Sequence, residues 1–276
     1  MAACKTLLVT GVSSGFGRAL AQEALAAGHR VVGTVRSAQA LRDFEALGMA
    51  AAGRVLDVTD VDAIPALVAE IEATAGPLDV LVNNAGYGHE GIMEESPLEA
   101  LRRQLDVNVV GAVAMMKAVL PAMRRRRRGH IVNITSMGGF ITLPGIAYYC
   151  GSKFALEGIS EALGQEVAAL GIHVTAVAPG SFRTDWAGRS MVRTPRSIAD
   201  YDALFDPIRE ARHAKSGRQL GDPLKAARAI LTLIDAPSPP AHLLLGSDAL
   251  ALVRGKLDHL NAELSAWQTL ALSTDA

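Results

Sequence analysis

Thr10-Gly11-Val12-Ser13-Ser14-Gly15-Phe16-Gly17 follows the aliphatic run Thr6–Val9 directly and opens a helical pattern over Arg18–Ala27. Three glycines in one turn let the chain double back. Their missing side chains let a pyrophosphate approach backbone N–H groups at a helix N-terminus, where the helix dipole favours an anion. Strand, turn and helix in that order read as a nucleotide-binding turn, a stronger signal than glycines alone. The spacing is Gly-x-x-x-Gly-x-Gly without a Gly-Lys-Ser/Thr ending, which argues against an NTPase.

Outward from this turn the same rhythm repeats. Thr6–Val9, Val31–Val35, Gly53–Leu56, Val80–Asn83, His130–Thr135, His173–Ala178 and His242–Leu245 read as strands. None alternates strictly with polar residues, as expected where both faces are covered. Helical segments lie between them. Ser37, Asp60 and Ser96-Pro97 sit where helices should start, and Gly28 and Gly171 where they should end. The alternation predicts an α/β fold: a doubly wound parallel sheet of about seven strands in a three-layer α/β/α arrangement with right-handed crossovers. No Pro/Ser linker interrupts it, so residues 1–276 are expected to form a single domain. Two segments break the rhythm. Residues 181–222 are charged, lack a strong strand and follow a strand's carboxyl end, where a lid over a ligand belongs. The extension 247–276 is helical, with Leu250, Val253, Leu257, Leu260, Leu264 and Trp267 at 3-4-3-4-3 spacing. That stripe is expected to pack on its own subunit, a contact between subunits being the alternative.

Composition narrows the function classes. The chain has 276 residues, 27 Lys+Arg against 28 Asp+Glu, and a net charge of -1, which argues against nucleic acid as a partner. Cys4 and Cys150 are its two cysteines, so no disulfide framework exists and a reducing compartment is favoured. Met1–Lys5 is not a secretory leader, and no apolar run approaches the roughly 20 residues of a membrane span. A cytoplasmic protein without membrane attachment is expected. No His/Cys/Asp cluster has metal-ligand spacing. The five arginines Arg124–Arg128 read as a solvated helix C-terminus favoured by the dipole.

The end of the second strand reports on the cofactor. A carboxylate there would accept from a ribose 2′-hydroxyl, but the sequence runs Val35-Arg36-Ser37. A guanidinium suits a 2′-phosphate, so NADP(H) is expected over NAD(H). Asp57-Val58, after the third strand, are placed to flank an adenine, and Asn83-Asn84-Ala85-Gly86 closes the fourth. In Tyr149-Cys150-Gly151-Ser152-Lys153, spacing of four puts the phenol and the ammonium on one helix face. A cation there draws the phenol pKa down from about 10. Ser136 stands at the carboxyl end of a strand, the ligand edge of such sheets, and Asn108 lies within the long helical segment Ser96–Met123, where a buried amide needs partners.

These motifs, in this order over residues 5–246, resemble the short-chain dehydrogenase/reductase family, single-domain type. The resemblance implies a Rossmann-type fold and a catalytic tetrad. Tyr149 is the general acid/base, Lys153 lowers its pKa and binds the nicotinamide ribose, Ser136 polarises the substrate carbonyl, and Asn108 holds a water in a proton relay. Cofactor contacts are expected from Gly11, Ser13, Ser14, Gly15, Phe16, Gly17, Arg36, Asp57, Val58, Asn84, Ala85, Gly86, Tyr149, Lys153, Pro179, Gly180 and Thr184, the last on the nicotinamide carboxamide. Ser14 departs from the basic residue that many NADP-using members carry. A homodimer or homotetramer is expected. Phe182, Trp186, Met191, Tyr201, Leu204 and Phe205 concentrate apolar surface in the lid, so the expected reaction is reversible hydride transfer between NADP(H) and a hydrophobic carbonyl or alcohol. The rival classes are a non-redox isomerase or lyase using bound NAD(P), and an NADPH-sensing regulatory protein.

Overall fold

The computed structural model describes residues 4–275. Its strands are β1 (Thr6–Thr10), β2 (Arg30–Val35), β3 (Ala51–Val55), β4 (Val80–Asn83), β5 (Gly88–Glu90), β6 (Gly129–Ile134), β7 (Ile172–Pro179), β8 (Met191–Arg193) and β9 (His242–Leu245). The helices are α1 (Gly15–Ala26), α2 (Ala38–Glu45), α3 (Ile64–Ala75), α4 (Leu98–Leu105), α5 (Gly111–Arg126), α6 (Ala147–Val167), α7 (Asp202–Ala214), α8 (Pro223–Asp235) and α9 (Ser247–Leu272). Seven strands form one parallel sheet in the order β3-β2-β1-β4-β6-β7-β9. All seven expected strands are present, β4 and β9 with the expected bounds and the others with an end shifted by one or two residues.

Successive strand residues point to opposite faces, and both faces are covered. Leu7, Val9, Val31 and Val82 pack against Leu20 of α1, Phe44 of α2 and Ile230 of α8. Leu8, Val32, Leu81 and Ile131 pack against Ile71 of α3, Met115 and Val119 of α5 and Leu156 of α6. Phe44 fits because residue 33 is glycine: a Cβ there would fall 2.6 Å from its Cζ and 2.5 Å from Cγ2 of Val12. Inside the sheet, Asn83 Nδ2 donates to Asn133 Oδ1 (2.8 Å), and Asn133 Nδ2 donates to Ser160 Oγ (2.8 Å). This buried chain ties β4 and β6 to α6.

Chain order reverses between β1 and β4. The loops at their carboxyl ends diverge, and such a point leaves a crevice for a ligand.

Several local expectations are corrected. Ser37 caps α2 by accepting from Ala40 N–H (3.2 Å), but Ser96 caps nothing. Its hydroxyl donates back to Ile92 O (2.7 Å), and Pro97 takes the N-cap position of α4. The segment expected as one α-helix contains a five-residue π turn, Asp106–Val110, between α4 and α5. With that turn, residues 98–126 form one continuous helix, long and apolar enough to cross a membrane by length and composition. Counting consecutive apolar residues misses it, because charges interrupt the run. Met115, Met116, Val119 and Met123 bury its inner side in the core. The lid is more ordered than its charge suggested: β8 pairs with β5 in a small parallel sheet, and α7 follows.

The tail departs most. Only Ala249 and Val253 of α9 are buried, and the stripe beyond them faces solvent. A helix leaving the body after two turns cannot bury its later apolar positions within its own chain.

Phe44→Ala is expected to destabilise the protein by about 3–5 kcal/mol, the cost of emptying a large core site. A matching fall in the urea unfolding midpoint, at unchanged slope, checks it.

Candidate active site

The crevice is held open by hydrogen bonds between the ends of β1 and β4. Thr10 Oγ1 accepts the N–H groups of Asn84 (3.0 Å) and Ala85 (2.9 Å). Asn84 Nδ2 donates to the carbonyls of Thr10 (2.9 Å) and Gly11 (3.0 Å). Gly11 and Val12 N–H both donate to Thr34 O (3.0 and 3.1 Å), fixing the turn against β2. A Cβ on Gly17 would fall 2.5 Å from Asn84 Nδ2, so the first turn of α1 can sit this close only as glycine. Ser14 is the N-cap of α1 yet caps nothing with its side chain, and the first turn carries no acid. Uncapped amides above a glycine cradle fit a pyrophosphate. Thr184 leans over this turn, 3.7 Å from a Cβ built on Gly15, and Phe16 packs edge-on against Phe182 (5.1 Å).

Around the rim, Arg36 is exposed at the end of β2. Asp57 accepts from Thr59 N–H (3.0 Å) and Oγ1 (2.8 Å), which holds its carboxyl below the usual range, with Arg36 and Arg103 adding to the effect. Val58 lies against Gly111 of the long helix and is buried. Pro179 ends β7. Gly180 N–H donates to Leu245 O (2.8 Å), beside the Asp248 carboxylate that accepts from Ser181 N–H (2.8 Å).

Of the four expected catalytic residues, Asn108 and Lys153 border Gly86, while Ser136 and Tyr149 border Gly138 after β6. Lys153 Nζ lies 5.8 Å from the centroid of the Tyr149 ring and donates to Ile134 O (2.8 Å). Ser136 accepts from Gly138 N–H (3.0 Å), which leaves its hydroxyl proton for Tyr149. Asn108, buried in the π turn, receives Tyr87 N–H on Oδ1 (3.1 Å). Its Nδ2 donates to Tyr87 O and to Ser152 Oγ (both 3.1 Å). Ser152 passes the link on to Tyr149 O (2.7 Å). A Cβ on Gly86 would sit 3.1 Å from Asn108 Oδ1 and 3.8 Å from Lys153 Nζ, so this corner also admits only glycine without adjustment. Both N–H groups of the Asn108 amide, and one acceptor position of its oxygen, hold α6 against the turn after β4.

The family model for short chain dehydrogenases matches residues 5–192. The chain belongs to this family. An oxidoreductase of Botryotinia fuckeliana, BOA17, is 35% identical over 98% of this chain and 99% of its own length. A short-chain dehydrogenase from Streptomyces avermitilis superposes with a TM-score of 0.91 at 41% identity, covering 99% of this chain and all of that one. ElxO, solved with NADP bound, superposes with a TM-score of 0.76 at 27% identity over 90% of this chain and 100% of that one. The protein is thus an NAD(P)-dependent oxidoreductase of the short-chain dehydrogenase type.

Within this dehydrogenase, burial pushes the Tyr149 phenol well above the ordinary phenol range, while the Ser136 hydroxyl works the other way. The indole N–H of Trp186 adds to Ser136's effect without closing a hydrogen bond. Burial also lowers Lys153 to about 8, against which the nearby Glu157 carboxylate acts. Glu157 is itself pushed up by burial and is held by His242 Nδ1 at 2.9 Å. At rest the phenol is protonated, and the lysine titrates just above neutrality.

The lid covers this group, though not with every residue expected. Trp186 lies on the Tyr149 ring (centroids 5.0 Å apart), and both Trp186 and Met191 border Gly88. Phe205 is instead buried under the lid against Gly145, Tyr201 donates outward to Glu94 (2.7 Å), and Leu204 is exposed. Helix α7 therefore supports the wall without lining it. His89 stacks on Tyr148 (5.1 Å) and bonds Thr194 (2.9 Å), as a buried, packed residue. Glu90 is almost fully buried and gathers Arg193 (2.7 Å), Arg209 (3.9 Å) and Arg212, latching the lid to β5. Among the described residues no group of acids, histidines and cysteines could hold a metal.

Sequence reasoning missed Ser152 and Glu90, and gave Thr10 no role beyond opening the glycine turn. Ser152, three residues after Tyr149, could have been flagged as a helix-interior hydroxyl. Thr10 carried no signal, since a threonine at a strand end is ordinary.

Because Lys153 titrates lower folded than unfolded, the unfolded chain binds more protons between about pH 8 and 10.5. The penalty for burying Lys153 is therefore constant below about pH 8 and is relieved as pH rises through that window. Lys153→Met removes this dependence. The wild-type minus variant difference in unfolding free energy should rise across the window, and a flat difference would count against the assignment. Gly17→Ala is expected to weaken dinucleotide binding at least about tenfold in a fluorescence titration, because either the cradle or Asn84 must move.

Proposed function

We propose that this dehydrogenase transfers hydride reversibly between NADP(H) and the carbonyl or alcohol carbon of a hydrophobic substrate. The observation carrying the proposal is that Ser136 and Tyr149 meet at Gly138, with Lys153 Nζ 5.8 Å from the Tyr149 ring centroid and reaching towards Gly86. When bound there, the dinucleotide supplies or accepts the hydride. Ser136 and Tyr149 then donate hydrogen bonds to the substrate oxygen, where negative charge builds as a carbonyl is reduced. Tyr149 gives up its proton to that oxygen, and takes one back when an alcohol is oxidised. Lys153, one helical turn away, stabilises the tyrosinate and is placed to hold the nicotinamide ribose. Asn108 acts as a positioning residue through Ser152 and the carbonyl of Tyr149. Gly11, Ser13, Ser14, Gly15, Phe16 and Gly17 would hold the pyrophosphate, with Asn84, Ala85 and Gly86 closing the opposite wall. Thr184, beyond Pro179 and Gly180, stands over the same turn.

NADP(H) is supported by Arg36, an exposed guanidinium at the end of β2 with no acid beside it in that turn. The NADP-bound relative points the same way. The hydrophobic substrate class is supported by Trp186 and Met191, which wall the space around Tyr149.

Tyr149→Phe removes the proton donor and leaves the ring contacts. It is expected to lower kcat by about a thousandfold or more, within the range for a lost general acid, while NADPH binding stays within threefold of wild type. Absorbance of the reduced cofactor against a panel of hydrophobic ketones and aldehydes measures the first, and fluorescence titration the second. Turnover within tenfold of wild type would overturn the role of Tyr149. Arg36→Ala should raise KM for NADPH at least about tenfold and leave KM for NADH unchanged, since the lost charge-assisted bonds serve only the 2′-phosphate. An equal effect on both cofactors would reject the NADP(H) assignment.

A further inference from the structure

Trp186 brings to the Tyr149 oxygen a donor that packing alone leaves idle. It sits in a short 3₁₀ turn, Asp185–Ala187, where Thr184 Oγ1 accepts the backbone N–H of Trp186 (3.4 Å). Arg189 bonds Asp185 across the same turn (2.6 Å), and the N–H groups of Gly188 and Ser190 donate to Asp185 O (3.1 and 3.0 Å). These contacts fix the backbone beneath the indole, which tilts over the phenol at 55° with centroids 5.0 Å apart. On β5, Gly88 pairs with Met191 of β8, and a Cβ there would lie 3.0 Å from both Trp186 Nε1 and Met191 Sδ. Glycine at 88 gives the indole nitrogen its room.

That nitrogen is buried and has no hydrogen-bond partner among the described residues. An indole N–H can only donate, and buried donors in folded proteins are nearly always paired. The N–H acts on the Tyr149 oxygen in the same sense as the Ser136 hydroxyl.

We propose that Trp186 is a catalytic residue: its indole N–H closes a hydrogen bond on the Tyr149 oxygen as that oxygen loses its proton. Its part in turnover rests on the proposed hydride transfer. When Tyr149 protonates the substrate oxygen, the electron pair of its O–H bond stays on the phenolate. The N–H donates to this new charge and keeps its own proton. A neutral phenol is a weak acceptor, whereas a charge-assisted bond is roughly twice as strong as a neutral one. The bond therefore tightens toward the transition state, which raises kcat and leaves ground-state binding alone. Lys153 supports the same oxygen as a charge, but it titrates at about 8 and is neutral above. The indole does not titrate, so tyrosinate keeps a donor where the lysine has lost its charge. Cys150, next in α6, opposes ionisation of Tyr149, and Arg212 of α7 acts in turn on Cys150.

Two measurements on the full-length protein test the proposal, with far-UV circular dichroism confirming that each variant stays folded. In the first, a trifluorotyrosine, whose phenol ionises more readily than that of tyrosine, replaces Tyr149. It is titrated by fluorine NMR without substrate or cofactor. Trp186→Phe should lower its ionisation constant at least about tenfold. A ring that merely packs predicts the opposite sign, because a smaller side chain admits water and eases the burial that holds the proton on. In the second, the sulfur isostere of tryptophan, which keeps the ring shape and lacks the N–H, replaces Trp186. The other tryptophan of the chain is the exposed Trp267, so a Trp267→Phe background confines the isostere to residue 186. Reduction of the hydrophobic ketones should then lose at least about tenfold in kcat against the Trp267→Phe parent, with KM for NADPH within about threefold. An ionisation constant unchanged or raised in the first, or kcat within about threefold of the parent in the second, would overturn the proposal. A parent inactive on every ketone strikes the hydride-transfer reading instead, because the titration is read without either ligand.

Discussion

The structure depends on one parting of strands. Where β1 and β4 send their chains to opposite sides of the sheet, the backbone groups at their carboxyl ends lose the neighbours that continued pairing would provide. Left unpaired, each buried group would cost about 1–3 kcal/mol. The Thr10 hydroxyl and the Asn84 amide carry that load between them, with four hydrogen bonds across the gap. Because side chains close the gap, the amides of the turn beyond Gly11 and Val12, which bond Thr34 O, face a ligand at the start of α1. The crevice is the residue of a topological constraint, and its polarity follows from the constraint as well.

A second restraint acts at right angles to the first. Asn108 is buried within the helix that runs from residue 98 to 126. The π turn at Asp106–Val110 widens it by one residue locally, and a buried amide appears at the position that can clamp both Tyr87 and Ser152. π turns interrupt helices at a cost and persist where function uses them. Here the clamp fixes the start of α6, which in turn sets where Tyr149 and Lys153 stand relative to Ser136. Asn108, Ser136 and the Tyr149–Lys153 pair, supplied by three separate segments, are brought together by backbone restraints, and the side chains add the chemistry.

That division explains what could be read beforehand. The seven strands were legible because both faces of the sheet are covered, which leaves aliphatic runs such as Leu7–Val9 and Val31–Val32 with no competing pattern. Tyr149, Lys153 and Ser136 were legible because their spacing is local or tied to a strand end. The π turn was not, since an extra residue in a helix leaves the apolar periodicity of its flanks nearly unchanged. Nor was the Ser96 cap, where a serine before proline served an upstream turn instead. The lid aromatics misled for a different reason: composition locates apolar side chains in a segment but not the side they face, so Phe205 became support and Trp186 became wall. The α9 stripe was visible as a period, but a period does not say which chain supplies the opposite face.

The electrostatics of the covered site also give the proposed chemistry a direction. Burial under Trp186 holds the Tyr149 proton on, and burial of Lys153 brings its titration close to neutrality. Reduction of a carbonyl needs a phenol that arrives protonated, and the resting site provides one. Oxidation of an alcohol needs tyrosinate, which requires a charged Lys153 nearby, and desolvation disfavours that charge. The Glu157 carboxylate, one turn below Lys153 and held by His242, opposes the desolvation and keeps the ammonium within reach of physiological pH. The same burial therefore favours the acid role of Tyr149 and makes its base role depend on a second, buried carboxylate. In the proposed chemistry Glu157 therefore supports the base role of Tyr149 by opposing the desolvation of Lys153.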